Sequence, residues 1–140
     1  MHIVALKSPD SRDLRSVIHP DTIEKIVSLK GVSVSFETGI GDGINVSDQN
    51  FVDLGLKALS RDECLSDGNL IITPSSLSHD EVAKVQQGST VLGMVNPFYA
   101  IEEMKALNNS KINVVSMEFI PRITRAQKMD VLSSQANLAG

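Results

Sequence analysis

Apolar residues occur along this chain in short bursts, and the spacing inside each burst assigns it. Residues 3–6 (IVAL) form a continuous apolar run without helical spacing, the pattern of a buried first strand. After a polar stretch over 7–15, Pro20 stands where its fixed φ suits a first helical position. Ile23, Ile26 and Val27 follow at i, i+3, i+4, and Gly31 ends that helix. Val32, Val34 and Phe36 alternate with polar residues, which predicts a strand with one face less buried. Ser47 is placed to cap a short helix that shows Phe51 and Leu54 inward and closes at Gly55, and residues 56–59 read as an edge strand.

The second half repeats the alternation. Residues 70–72 predict a strand stopped by Thr73 and Pro74, because the residue before a proline avoids helix. Ser78 with Glu81 is a capping box, opening a helix that turns Val82 and Val85 inward. Residues 91–95 read as a central strand. Asn96 and Pro97 then cap a helix with Ile101, Met104 and Leu107 facing the core. Residues 112–117 are the last strand, and a helix from about Thr124 closes the chain. Strands alternating with helices at this spacing predict an α/β fold, a flavodoxin-like three-layer sandwich with a mostly parallel sheet of four to five strands. Ligands meet such sheets beyond the carboxyl ends of the strands. That rule selects three loops: the one holding Arg15, the turn at Asn96 and Pro97, and the turn over 121–125.

Composition narrows the function classes. A length of 140 residues is one domain with a single core, and 41% hydrophobic with 21% charged residues is the balance of a soluble globular protein. A net charge of -4 provides no basic patch for nucleic acid. The single cysteine, Cys64, excludes an internal disulfide and a Cys-rich zinc site, and points to a reducing, cytoplasmic compartment. No apolar run approaches the roughly 20 residues that span a bilayer, and the N-terminus has no secretion-signal pattern.

Most candidate chemistry is set aside on spacing. The glycine loop GIGDG over 39–43 follows the second strand and puts Asp42 where a phosphate would have to approach, so it reads as a plain turn. His2, His19 and His79 are scattered, with no ligand spacing among them, and His19 reads as a helix-start residue. Cys64 has no histidine near it in sequence, and no nucleophile-elbow motif surrounds a serine. Arg15 is either a solvated loop residue or a contact for an anion or partner through its planar fork.

The last twenty residues are the richest in hydrogen-bonding groups. On a helix from Thr124, Gln127, Asp130 and Ser134 share one face with Ser133 and Asn137 beside it, and Met129, Leu132 and Ala136 form the opposing apolar stripe. Two accounts stay open on the residues alone. Thr124 and Gln127 can form a capping box with the serines solvated, or an arginine can pair with Asp130 to brace a loop at the rim of a ligand cleft.

This segment, PRITRAQKMDVLSSQANLAG over 121–140, closely resembles the signature of the NAD(H)-binding component of proton-translocating nicotinamide nucleotide transhydrogenases. The similarity extends more weakly to Arg15 with Pro20 and to the loop 38–51. The resemblance implies that residues 1–140 are the N-terminal one of two subdomains, without its late returning helices. A Rossmann subdomain carrying its own glycine fingerprint is expected after Gly140. It further implies hydride transfer from NADH, held in the cleft between the subdomains, to NADP+ on a separate component, coupled to proton movement through a membrane component. The implied cofactor-binding residues are Arg122, Gln127, Asp130 and Ser133, with no catalytic acid or base. Arg122 and Ser133 would hold the carboxamide and the loop, Gln127 would reach the ribose and the partner component, and Asp130 would brace Arg122. A homodimer is expected, on the cytoplasmic side and peripheral to the inner membrane through its complex, with the isolated chain inactive.

Two positions depart from relatives of this kind. Alanine dehydrogenases carry a lysine where this chain has Thr73 and a histidine where it has Asn96, and transhydrogenases usually keep the lysine. A neutral amide cannot perform the histidine's proton transfer, so amination of a keto acid is disfavoured. A standalone flavodoxin-like binding or regulatory module, and a fragment of an alanine dehydrogenase-like enzyme, are the alternative readings.

Overall fold

A computed structural model describes residues 1–139, with side chains of the closing helix described as far as Ala136. Six strands form one sheet: β1 (His2–Ala5), β2 (Ser33–Glu37), β3 (Lys57–Leu59), β4 (Leu70–Thr73), β5 (Thr90–Gly93) and β6 (Asn113–Ser116). Their order is β3-β2-β1-β4-β5-β6, and every pairing is parallel. The helices are α1 (Pro20–Val27), α2 (Asp48–Asp53), α3 (Arg61–Asp67), α4 (His79–Val82), α5 (Ile101–Asn109) and α6 (Val131–Ala139). None is long and apolar enough to cross a membrane.

The five longer strands run in the flavodoxin-like order, and the three-residue β3, the edge strand expected over 56–59, lies outside β2 and brings the count to six against the four to five predicted. Helix α3 is absent from the sequence-based expectation. Its signal is nonetheless present, since Ser60 accepts from the Glu63 backbone while the Glu63 carboxylate accepts from the Ser60 N–H at 2.8 Å. A seven-residue helix with only Cys64 and Leu65 buried has too few apolar positions to show a period.

Register builds two cores. Val4 pairs with Ile71, and Ile71 with Val91, so these three point to one face, where Leu65, Val82 and Leu107 cover them. Ile3, Ala5, Val34 and Phe36 share the other core with Ile23 of α1 and Phe51 of α2. There the rings of Phe36 and Phe51 lie 5.1 Å apart, and burying each contributes about 1.5–3 kcal/mol. The coverage is uneven. At the β6 edge Val114 and Val115 remain 37% and 46% exposed.

Several local expectations hold. Pro20 begins α1 with His19 as its cap, Ser47 and Ser78 cap α2 and α4, and Val82 and Val85 are buried. One does not. Asn96 does not cap α5, which starts at Ile101, and Ile101 is 53% exposed. Asn96 instead takes φ 47 and turns the chain, its carbonyl accepting from Tyr99 and Ala100.

A charged node joins the carboxyl ends of β1 and β2 to α3 and α4. Arg61 Nη1 donates to the Lys7 carbonyl at 3.0 Å and to Glu37 at 2.8 Å, while its Nε donates to Glu81. Glu37 also accepts the Lys7 N–H at 3.0 Å. Burial alone would raise the Glu81 carboxyl, but the bond from Arg61 and the Ser78 N–H bring it below its ordinary value. Burial pushes the Cys64 thiol up to about 12, with Glu37 adding to the shift, so Cys64 is a protonated core residue at neutral pH. Removing Arg61 would leave Glu37 buried without its cation. Arg61→Ala is expected to lower unfolding stability by about 3 kcal/mol, the low end for a broken buried pair, since 20% of the Arg61 side chain is exposed. Urea denaturation of the variant measures it.

Candidate functional site

The closing segment is two pieces rather than one helix from Thr124. A 3-10 helix covers Thr124–Met129, Asp130 leaves helical geometry with φ -78 and ψ 88, and α6 then starts at Val131. Asp130 is the cap of α6. Its carboxylate accepts the Ser133 N–H at 3.0 Å and the Ser133 hydroxyl at 2.6 Å, and its carbonyl accepts the Ser134 N–H at 3.1 Å. The expected box between Thr124 and Gln127 does not form, because Ile123 precedes the 3-10 helix without a side-chain cap. Nor is the Met129, Leu132 and Ala136 stripe core. Met129 and Leu132 are 52% and 38% exposed, and Ala126 is the buried residue instead. Asn137 lies outside the described side chains.

The break gathers the polar groups. Arg122, Gln127, Asp130, Ser133 and Ser134 line one cavity of about 350 Å³. All four residues expected at the site therefore share a single concavity, and Ser134 joins them. Within it the Ser133 hydroxyl and N–H hold the Asp130 carboxyl below its ordinary range, and the Arg122 charge adds to the effect through space. The expected brace between Asp130 and Arg122 is not a direct bond. Both Asp130 oxygens turn to Ser133, and Arg122 acts on the carboxylate only at a distance. The cavity thus presents a guanidinium, an amide and hydroxyls beside an ionised carboxylate.

A second cavity, of about 230 Å³, adjoins the point where the strand order reverses between β1 and β4. Arg15, Thr73, Gly93, Met94 and Met117 line it, and Val131 and Gln135 of α6 close it. Arg15 grips Asp13 with two bonds of 2.7 Å, which holds the Asp13 carboxyl down at about 2. It is a braced rim residue, neither simply solvated nor free. Thr73 is buried and turns its hydroxyl to the Ser75 carbonyl at 2.8 Å.

The glycine loop is the plain turn expected, and its contacts show what it does. Its Gly39 N–H donates to Asp48 at 2.9 Å, and a Cβ at Gly43 would stand 2.7 Å from the Leu14 Cα. The loop therefore packs against the backbone beside Arg15 and sets the height of that rim. Among the described residues no group of His, Cys, Asp and Glu could hold a metal. Spacing already placed Ser134 with Gln127 and Asp130, but sequence patterns alone do not single out Gln135 or Glu118. The signal for Gln135 is Asp130 ahead of an apolar residue, an N-cap pattern that moves the helix start by several residues.

A doubly wound α/β domain with a polar cleft at the carboxyl edge of its sheet defines a ligand-handling class, though not a reaction. Residues 8–139 match the family described as alanine dehydrogenase/PNT, N-terminal domain, and the chain belongs to that family. It is 37% identical over 145 residues to an NAD(P) transhydrogenase subunit alpha polypeptide of Rickettsia prowazekii, covering 100% of this chain and 38% of that protein. A solved transhydrogenase from Sinorhizobium meliloti superposes with a TM-score of 0.93 at 31% identity, covering 99% of this chain and 41% of that one. An L-alanine dehydrogenase structure shares the fold at a TM-score of 0.79 and 18% identity, over 89% of this chain and 34% of that one. The chain spans well under half the length of each of these proteins.

The cap has a testable pH dependence. Asp130 lies below the ordinary carboxylate value of about 3.9, so its contribution is complete above that value and disappears as pH falls through the lower folded one. Acid should fray the first turn of α6, visible as faster exchange of the Ser133 amide below about pH 4. Asp130→Ala should show the same fast exchange at neutral pH.

Proposed function

We propose that this chain forms one wall of the NAD(H) cleft of a proton-translocating NAD(P) transhydrogenase, in which a hydride passes from NADH to NADP+. The observation that carries the reading is the single cavity lined by Arg122, Gln127, Asp130 and Ser133, the residues of the family-like signature. Its donor set fits a nicotinamide nucleotide. Arg122 and the Ser133 hydroxyl can donate to a carboxamide oxygen, the Asp130 carboxylate can accept from the amide nitrogen, and Gln127 can bond a ribose hydroxyl. When bound, the nicotinamide supplies the hydride.

The work left to these side chains is alignment and charge placement. Direct hydride transfer needs no titrating acid or base on the protein. Asn96, a neutral amide at the position where alanine dehydrogenases carry histidine, agrees with that requirement and disfavours an amino-acid dehydrogenase. The remaining wall is a Rossmann subdomain downstream of residue 140. NADP(H) sits on a separate component, and a membrane component carries the protons. The subunit is a homodimer held on the cytoplasmic side, peripheral to the inner membrane through its complex, with no nucleic-acid partner. The isolated chain, with one wall only, is inactive.

In a protein joining this chain to its downstream half, titration should change NADH fluorescence; no change at all would sink the cofactor reading. Gln127→Ala in the reconstituted enzyme is expected to lower hydride transfer about ten-fold, the loss for one hydrogen bond at the reacting end, with an unchanged fold. Wild-type turnover in that variant would leave Gln127 as an ordinary surface residue.

A further inference from the structure

We propose that Glu118 is a positioning residue whose carboxylate latches the turn after β5 to the turn after β6 and so sets where Arg122 and the start of α6 stand. The inference rests on the cofactor reading of the cleft, which itself makes no use of Glu118. Glu118 lies in the short 3-10 segment Met117–Phe119 that follows β6. Its Oε1 accepts the Asn96 backbone N–H at 2.6 Å, and its Oε2 accepts the Ser116 hydroxyl. An N–H bonded to an ionised carboxylate is stronger than its neutral counterpart.

What it holds is a sharp turn. Asn96 takes φ 47, a left-handed conformation that asparagine adopts more readily than most L residues, and the carboxylate fixes its N–H in that turn. A second contact spans the same two turns, since the rings of Phe98 and Phe119 meet edge-on with centroids 5.3 Å apart. On its other side the Met117–Phe119 segment packs against α6, whose cap is Asp130. Glu118, Asn96 and Leu132 of α6 also line one cavity of about 600 Å³. The carboxylate bonds Asn96 and Ser116 rather than Arg122 or Asp130, and so acts on that cavity only through the backbone. Only three residues separate Glu118 from Arg122, and a shift of the turn displaces both the guanidinium and the helix start.

The test uses the reconstituted enzyme with NADH as the probe. Glu118→Ala should lower kcat for hydride transfer between about 10- and 100-fold, the penalty for a small misalignment, while KM for NADH changes much less. Glu118→Gln keeps an acceptor for the Asn96 N–H and should restore most of the rate. Combined with Arg122→Ala, Glu118→Ala should add little, because both act through one constellation. A Glu118→Ala enzyme with wild-type kcat, or a loss that Gln does not rescue and that adds fully to Arg122→Ala, overturns the proposal. If Arg122→Ala and Gln127→Ala lower turnover and Glu118→Ala does not, the latch alone fails. If none of the three changes NADH binding or turnover, the cofactor reading fails with it. Should Glu118→Ala not fold, amide exchange in the wild-type chain decides: a slowly exchanging Asn96 amide supports the latch, and an unprotected one overturns it.

Discussion

The rim of this sheet depends on the guanidinium of Arg61. It bonds the carbonyl at the end of β1, the carboxylate at the end of β2 and the carboxylate in the first turn of α4, from the first position of α3. Four elements far apart in sequence therefore end at one place. An ion network of this kind adds little net stability over an apolar replacement, because desolvation offsets the attraction. What it provides is geometry, since the planar fork accepts few arrangements of its partners. The chain leaves β1 at Lys7 from this node, and the loop it enters carries Arg15 to the ligand edge.

The cleft side shows the same economy of means. Asp130 interrupts a polar stretch that could have run as one helix, and its carboxylate then restarts the helix by capping it. With the chain broken there, Arg122, Gln127 and Ser133 line a shared space. Capping and site formation are thus one event, with the Ser133 N–H and hydroxyl meeting the same carboxylate that gives the cavity its negative charge.

The uneven cover of the sheet agrees with a domain that works beside others. Two cores seal β1, β2 and β4, yet the β6 edge and the outer face of α6 keep apolar side chains in solvent. Proteins more than twice as long contain a stretch similar to this chain in sequence and fold.

The sequence by itself determined the parallel α/β architecture, because strand runs and capped helices alternate with the right spacing. It misjudged burial along β2, whose alternation predicted a less buried face although Ser35 and Glu37 are both buried. It also concentrated in one stretch the polar side chains that the structure gathers around a single cavity. It did not determine α3, which is too short for a hydrophobic period to register. Nor did it determine the break at Asp130. The choice between continuing a helix and capping a new one turns on where the chain must go after β6, and local spacing carries no such information. Tertiary structure decided that point, as it decided the bonding of Glu118 to Asn96 and of Arg61 to Glu37 and Glu81. In each of these pairs the partners lie 20 or more residues apart, and a bond between them exists only once the sheet has fixed the distance across its edge.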